Sequence, residues 1–134
     1  MNGPWSIAEA AQAANVASAQ QKGAEGALRD AAADLAAKER AYRVSLAQTI
    51  TRFRADGHAA TVCADLARGD KQVADLRYAR DVAQGVLDSA QQAAWRLSAD
   101  RRTIDGLTRW SMSRELSEHG QPDERIAWTT RAAA

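Results

Sequence analysis

Large apolar residues recur at Leu28, Leu35, Tyr42, Leu46, Ile50 and Phe53, in steps of seven, seven, four, four and three. That rhythm predicts a helix with one apolar seam. Asp56-Gly57 ends it, because glycine readily takes the left-handed conformation that closes a helix. A short helix is expected over Ala60–Arg68, with Thr61 at its N-cap, Gly69 closing it and Asp70 capping the next helix. Val73, Leu76, Ala83, Leu87, Ala90, Ala94, Leu97, Ile104 and Leu107 then keep three-and-four spacing for more than thirty residues. The pattern stops at Glu118-His119-Gly120-Gln121-Pro122, and the tail beyond it holds Trp128 without periodicity.

Ahead of the first stripe, Ile7 to Ala37 is Ala-rich, with high helix propensity and few large side chains to bury. Pro4 suits a helix start, with Ser6 or Trp5 near the cap and Glu9 in the first turn. Gly23 and Gly26 mark a weak point where this segment is expected to bend or fray. The only other proline is Pro122. The fold class expected is therefore all-α: a long antiparallel helical hairpin with a short connecting helix. An Ala-rich extension over 1–37, a hairpin core over 38–118 and an irregular tail over 119–134 are the expected parts. A two-helix hairpin cannot cover both of its faces, so a homo-oligomeric bundle is expected. Its seam would hold Leu28, Leu35, Tyr42, Leu46, Ile50, Phe53, Leu87, Leu97 and Ile104.

Composition adds charge to this picture. The chain has 134 residues, enough for one core, and a net charge of +1. Fifteen of the 18 basic residues are Arg, a bias that GC-rich codons also produce along with the abundant Ala. Charge is segregated along the chain. Residues 38–54 carry Lys38, Arg40, Arg43, Arg52 and Arg54 against Glu39, a net of +4. Residues 95–114 carry Arg96, Arg101, Arg102, Arg109 and Arg114 against Asp100 and Asp105, a net of +3, with Trp95 and Trp110 interleaved. The stretches 1–37, 55–94 and 115–134 are each −2. Cations that track phosphates beside flat side chains that stack on bases are what single-stranded nucleic acid binding uses. The plainer reading is a solvated helix face on which these arginines pair with Asp100 and Asp105.

Catalytic chemistry finds little to work with. A zinc site needs about four ligands, and the chain offers His58, His119 and Cys63. No Gly-rich phosphate loop and no paired carboxylates occur, so no metal, cofactor or enzymatic activity is expected. Arg68-Gly69-Asp70 spells an adhesion tripeptide but reads better as helix stop and helix start. A helix-turn-helix centred on Gly69 would put Asp65 and Asp75 at core positions, which is costly. Trp95-Arg96-Leu97 and Trp110-Ser111-Met112 lack the glycine that a secreted WXG-type hairpin requires. The lone Cys63 points to a reducing compartment, and no apolar run approaches a membrane span. Met1-Asn2-Gly3-Pro4 carries no basic segment leading into an apolar core. A cytoplasmic protein without a membrane partner is expected.

The order of a basic helix ending "TITRFRADG", then "ARGDKQVADLRYARDVAQGVLDSAQQAAWRLSADRRTIDGL", resembles the UvsY-like recombination mediators of bacteriophages, over residues 38 to about 116. Arg52 and Arg54 match a basic pair before that family's Gly-containing turn. Val73, Leu76, Leu87, Ala90, Ala94 and Ile104 match the apolar spacing of its long helix. The family is Lys-rich where this chain uses Arg. The resemblance implies an oligomeric, ring-like helical protein in the host cytoplasm that binds single-stranded DNA. Such a protein helps a strand-exchange recombinase displace single-strand binding protein. The nucleic-acid-binding set would be Lys38, Arg40, Arg43, Arg52, Arg54, Arg96, Arg101, Arg102 and Arg109, with Trp95 and Trp110 stacking. The alternative is a non-enzymatic phage structural or assembly bundle.

Overall fold

The computed structural model describes residues 5–120, which form three helices and no strand: α1 (Ile7–Ala55), α2 (Ala60–Gly69) and α3 (Lys71–Gly120). Pro4, Pro122, Trp128 and the tail from residue 121 onward lie outside the described residues. Contacts divide the chain into two units. The first combines Met1–Gln21 with Arg96–Ala134, and the second is Lys22–Trp95. The helix runs through Gly23 and Gly26 and across residue 37 without a break.

Local chemistry explains where each helix starts and stops. Ser6 and Glu9 form a reciprocal capping box: the Ser6 amide donates to Glu9 Oε2 at 2.8 Å, and the Glu9 amide to Ser6 Oγ at 3.2 Å. α1 closes on Gly57, at φ +91°, with the His58 amide bonded to Phe53 O and the Gly57 amide to Arg54 O. This pair of reversed bonds is the Schellman closure. The Phe53 and His58 rings that it brings together pack edge-on, 5.4 Å between centroids. The N-cap of α2 is Ala59, with no side-chain bond, and Thr61, expected in that role, lies inside the helix. Asp70 caps α3 as predicted, its Oδ2 accepting the Val73 amide at 3.5 Å.

In the second unit, α1 and α3 run antiparallel: Glu39 faces Arg80, and Arg52 faces Asp70. Their contact keeps two seven-residue series on each helix. On α1 these are Ala31-Lys38-Ser45 and Leu28-Leu35-Tyr42-Thr49. On α3 they are Val73-Arg80-Leu87-Ala94 and Leu76-Ala83-Ala90, all buried or half-buried. Such a repeat holds one stripe of each helix against its neighbour. Of the apolar residues expected between subunits, Tyr42 is buried and Leu28, Leu35, Leu46, Ile50, Phe53 and Leu87 are half-buried within the single chain. Cys63 and Ala67, one turn apart on α2, are both fully buried.

In the first unit the buried positions are small: Ala10, Ala17 and Ser111, with Leu97, Ile104 and Thr108 half-buried and Leu107 exposed. Arg101 Nη1 donates to Gln21 Oε1 at 2.8 Å between α1 and α3. The Ala-rich segment therefore does bury a face. Its buried alanines in this unit, Ala10 and Ala17, stand seven residues apart.

Candidate nucleic-acid interface

The basic residues predicted from sequence separate into an outward set and a set used to hold the fold. On α1 of the second unit, Arg29 and Arg40 are eleven apart, Arg40 and Arg43 three, and Arg43 and Arg54 eleven. Eleven residues make just over three helical turns, so all four fall on one stripe, roughly 120–180° around the helix from the buried seam. Lys22, seven residues before Arg29, continues it. All five are exposed, with Glu25 on that face and Glu39 at its border. Arg43 Nε meets Glu39 Oε1 at 2.6 Å, whereas Arg29, Arg40 and Arg54 have no ion pair among the described residues. Hydrogen bonding from Arg43, reinforced by the nearby positive charge of Arg80, holds the Glu39 carboxyl below its usual range. Lys22 and Arg29 were outside the sequence-predicted set. Their signal was the eleven-residue spacing of Arg29 to Arg40 and the seven-residue spacing of Lys22 to Arg29.

Lys38 and Arg52 have different surroundings. Lys38 is half-buried in the seam series, its amine 2.7 Å from Asp34 Oδ2. Arg52 reaches across the joint to Asp70 Oδ1 at 3.1 Å, with its guanidinium 5.4 Å from the centre of the Phe53 ring. The depression beside it is lined by Arg52, Asp70, Lys71, Gln72, Asp75 and Leu76, a mixed-sign set rather than an anion pocket.

On α3 in the first unit, Arg96, Arg102 and Arg109 are exposed, and the last two are seven apart on one side. Arg109 Nε approaches its own helix at Asp105 O, 3.4 Å away. Arg101 faces α1 through Gln21, so it does not share the surface of Arg102. Trp110 is 56% exposed, with Arg114 over its ring at 5.8 Å, and Arg114 also pairs with Glu118 at 2.8 Å. Trp95, in the second unit, is 74% exposed. Large aromatics left this open can stack on a flat ligand.

The joint offers no nucleophile. Buried Cys63 donates its thiol to the backbone oxygens of His58 and Ala59, at 3.6 and 3.2 Å, and the His58 ring rests on Phe53 instead. Among the described residues no group of three or more His, Cys, Asp or Glu is arranged to hold a metal ion. The Asp70 of the Arg68-Gly69-Asp70 tripeptide is occupied by Arg52 and by the α3 cap. Asp65 and Asp75 are exposed, which places neither in the core that a helix-turn-helix would need. No described helix is long and apolar enough to cross a membrane.

Comparison of the chain with protein-family models, curated proteins and solved structures gives no match.

Proposed function

We propose that this protein is a non-enzymatic, single-stranded DNA-binding recombination mediator that acts as a homo-oligomer in the cytoplasm. The observation that carries the DNA-binding part is the cation stripe of Lys22, Arg29, Arg40, Arg43 and Arg54 along one face of α1, where Arg29, Arg40 and Arg54 lack a carboxylate partner among the described residues. Cations spared from internal pairing keep their field for an external polyanion, and a linear row suits an extended strand better than a compact ligand. Exposed Trp95 and Trp110 supply stacking surfaces, which favour unpaired bases over a duplex. The recombination role rests on the resemblance of residues 38 to about 116 to the UvsY-like mediators.

Fluorescence anisotropy with labelled single-stranded and duplex oligonucleotides tests the first part. Tighter binding to the single strand at low salt, without sequence preference, is expected. Absence of binding would leave the structural reading, a helical assembly protein, which the exposed apolar row of Tyr78, Val82 and Val86 favours. The mediator role is tested by adding the protein to a strand-exchange recombinase and single-strand binding protein on DNA. Faster filament assembly is expected, and DNA binding without that acceleration would reduce the protein to a DNA-coating factor.

A further inference from the structure

Glu39 stands at the border of the cation stripe, one helical turn before Arg43, and holds that arginine: Arg43 Nε lies 2.6 Å from Glu39 Oε1. The Arg43 side chain is 76% exposed, so an external anion can reach the same guanidinium. Glu39 does not depend on Arg43 for its place. Across the seam, Arg80 Nε lies 3.5 Å from Glu39 Oε2, and the Arg80 side chain is only 25% exposed. Two further contacts fix Arg80. Its Nη2 meets Asp81 Oδ1 at 2.6 Å, and its guanidinium lies 4.8 Å from the centre of the Tyr42 ring. The carboxylate therefore stays beside the stripe whether or not Arg43 turns toward it. Arg29, Arg40 and Arg54 have no ion pair among the described residues, so an anion meets them without a rival.

We propose that Glu39 restrains the grip of the cation stripe on single-stranded DNA by competing with phosphate for Arg43. The inference rests on the DNA-binding reading above and adds to it a residue that lowers affinity. A guanidinium beside a carboxylate projects little field, because the adjacent opposite charge cancels most of it where a strand would approach. To serve a phosphate, Arg43 must leave Glu39 or be shared with it, and either course reduces the gain. An exposed pair four residues apart on a helix is worth little, so the restraint is about two- to fivefold in affinity. At that strength the pair exchanges with a phosphate rather than locking the arginine away. Arg43 is thus the stripe cation whose contribution a neighbour sets.

Fluorescence anisotropy of the full-length chain with a labelled single strand tests it, at one low salt concentration because salt screens exposed pairs. Glu39→Gln removes the charge but keeps the length and a hydrogen-bond acceptor. It should tighten binding about two- to fivefold while circular dichroism keeps its helical signal. Loss of a negative charge anywhere favours a polyanion to some degree, so two controls isolate the local effect. Asp34→Asn makes the same change nine residues before Arg43, two and a half turns away and so on the opposite side of α1. It should gain clearly less. In an Arg43→Ala background, Glu39→Gln should also gain clearly less, because the cation it releases is gone. Arg43→Ala in the parent should weaken binding less than Arg40→Ala, a comparison that leaves the Glu39–Arg80 contact in place. An equal or larger loss from Arg43→Ala overturns the proposal. So does a Glu39→Gln gain that persists without Arg43 or that Asp34→Asn matches. Unchanged or weaker binding by Glu39→Gln overturns it too, and weaker binding would make Glu39 a residue that orients Arg43. A parent chain that binds no oligonucleotide overturns this inference together with the DNA-binding reading. A parent that binds, and loses affinity with Arg40→Ala and Arg54→Ala, keeps that reading even where the Glu39 results fail.

Discussion

One carboxylate serves both sides of the joint: Asp70 Oδ1 holds Arg52 of α1 at 3.1 Å, while Asp70 Oδ2 accepts the Val73 amide at the start of α3. Asp70→Ala removes a helix cap and an ion pair together. The cap is worth about 1 kcal/mol and an exposed pair under about 1 kcal/mol, so the loss should be about 1–2 kcal/mol. Arg52→Ala removes only the pair and should cost less. Urea unfolding followed by circular dichroism ranks the two, and equal losses would contradict the cap.

Gly57 turns the chain out of α1 at φ +91°. A side chain there is not crowded, since a Cβ would meet open space. The cost of Gly57→Ala is therefore backbone strain alone, about 1–2 kcal/mol for a left-handed residue. Gly69 ends α2 without a positive φ, so Gly69→Ala should be close to neutral by the same unfolding measurement.

These joints were legible in the sequence because capping chemistry is local: Ser6, Gly57 and Asp70 act on amides within a few residues. The large residues of the seam were legible too, since Leu28, Tyr42 and Leu87 recur at helical spacing. What they cover was not. A seven-residue repeat fits contact within a chain and between chains equally well, and only the packed helices show that Tyr42 is buried and Leu28, Leu35, Leu46, Ile50 and Phe53 half-buried within one chain. The alanine half of the contact escaped because Ala10, Ala17 and Ala31 differ from exposed alanines only in position. The split of the arginines was hidden for a related reason: block charge ignores which side of the helix each cation faces. Arg40 and Arg52 carry the same charge, yet one faces outward and the other binds Asp70.

The alanine contact can be tested by overfilling it. Ala83 is 2% exposed between α3 and α1. Ala83→Leu should destabilise by about 1–3 kcal/mol, as extra methylenes do in a filled interior. Ala74→Leu, at an exposed position of the same helix, should stay within about 0.5 kcal/mol. A neutral Ala83→Leu would mean that the contact around Ala83 yields to added volume.

Acid should loosen the start of α1. The Glu9 carboxyl is held below its usual range, first by the hydrogen bond from the Ser6 amide and then by hydrogen bonding with the Ser6 hydroxyl. A lowered folded pKa means that the stabilisation is full above the unfolded value and lost as pH falls through the folded one. Amide exchange at Ala10 and neighbouring residues should therefore accelerate below the ordinary glutamate range. Glu9→Gln should exchange at a rate that acidification in this window leaves unchanged, apart from the intrinsic chemistry. An identical pH response in both proteins would remove Glu9 from the account.

The outward arginines give the sharpest test of the nucleic-acid surface. Arg40→Ala, Arg43→Ala and Arg54→Ala combined remove three exposed cations from one face and leave the seam intact. Alanine is the better helix former, so helicity should hold. Each single-strand phosphate released flattens the dependence of log affinity on log salt by about 0.7, so three contacts flatten it by about two. Lys38→Ala and Arg101→Ala each remove one positive charge from positions bonded to Asp34 and Gln21. Those two changes should leave the salt slope near that of the parent. Anisotropy titrations over a range of salt read both results. If the triple variant binds as the parent does while Lys38→Ala or Arg101→Ala weakens binding, the strand follows another face of the protein.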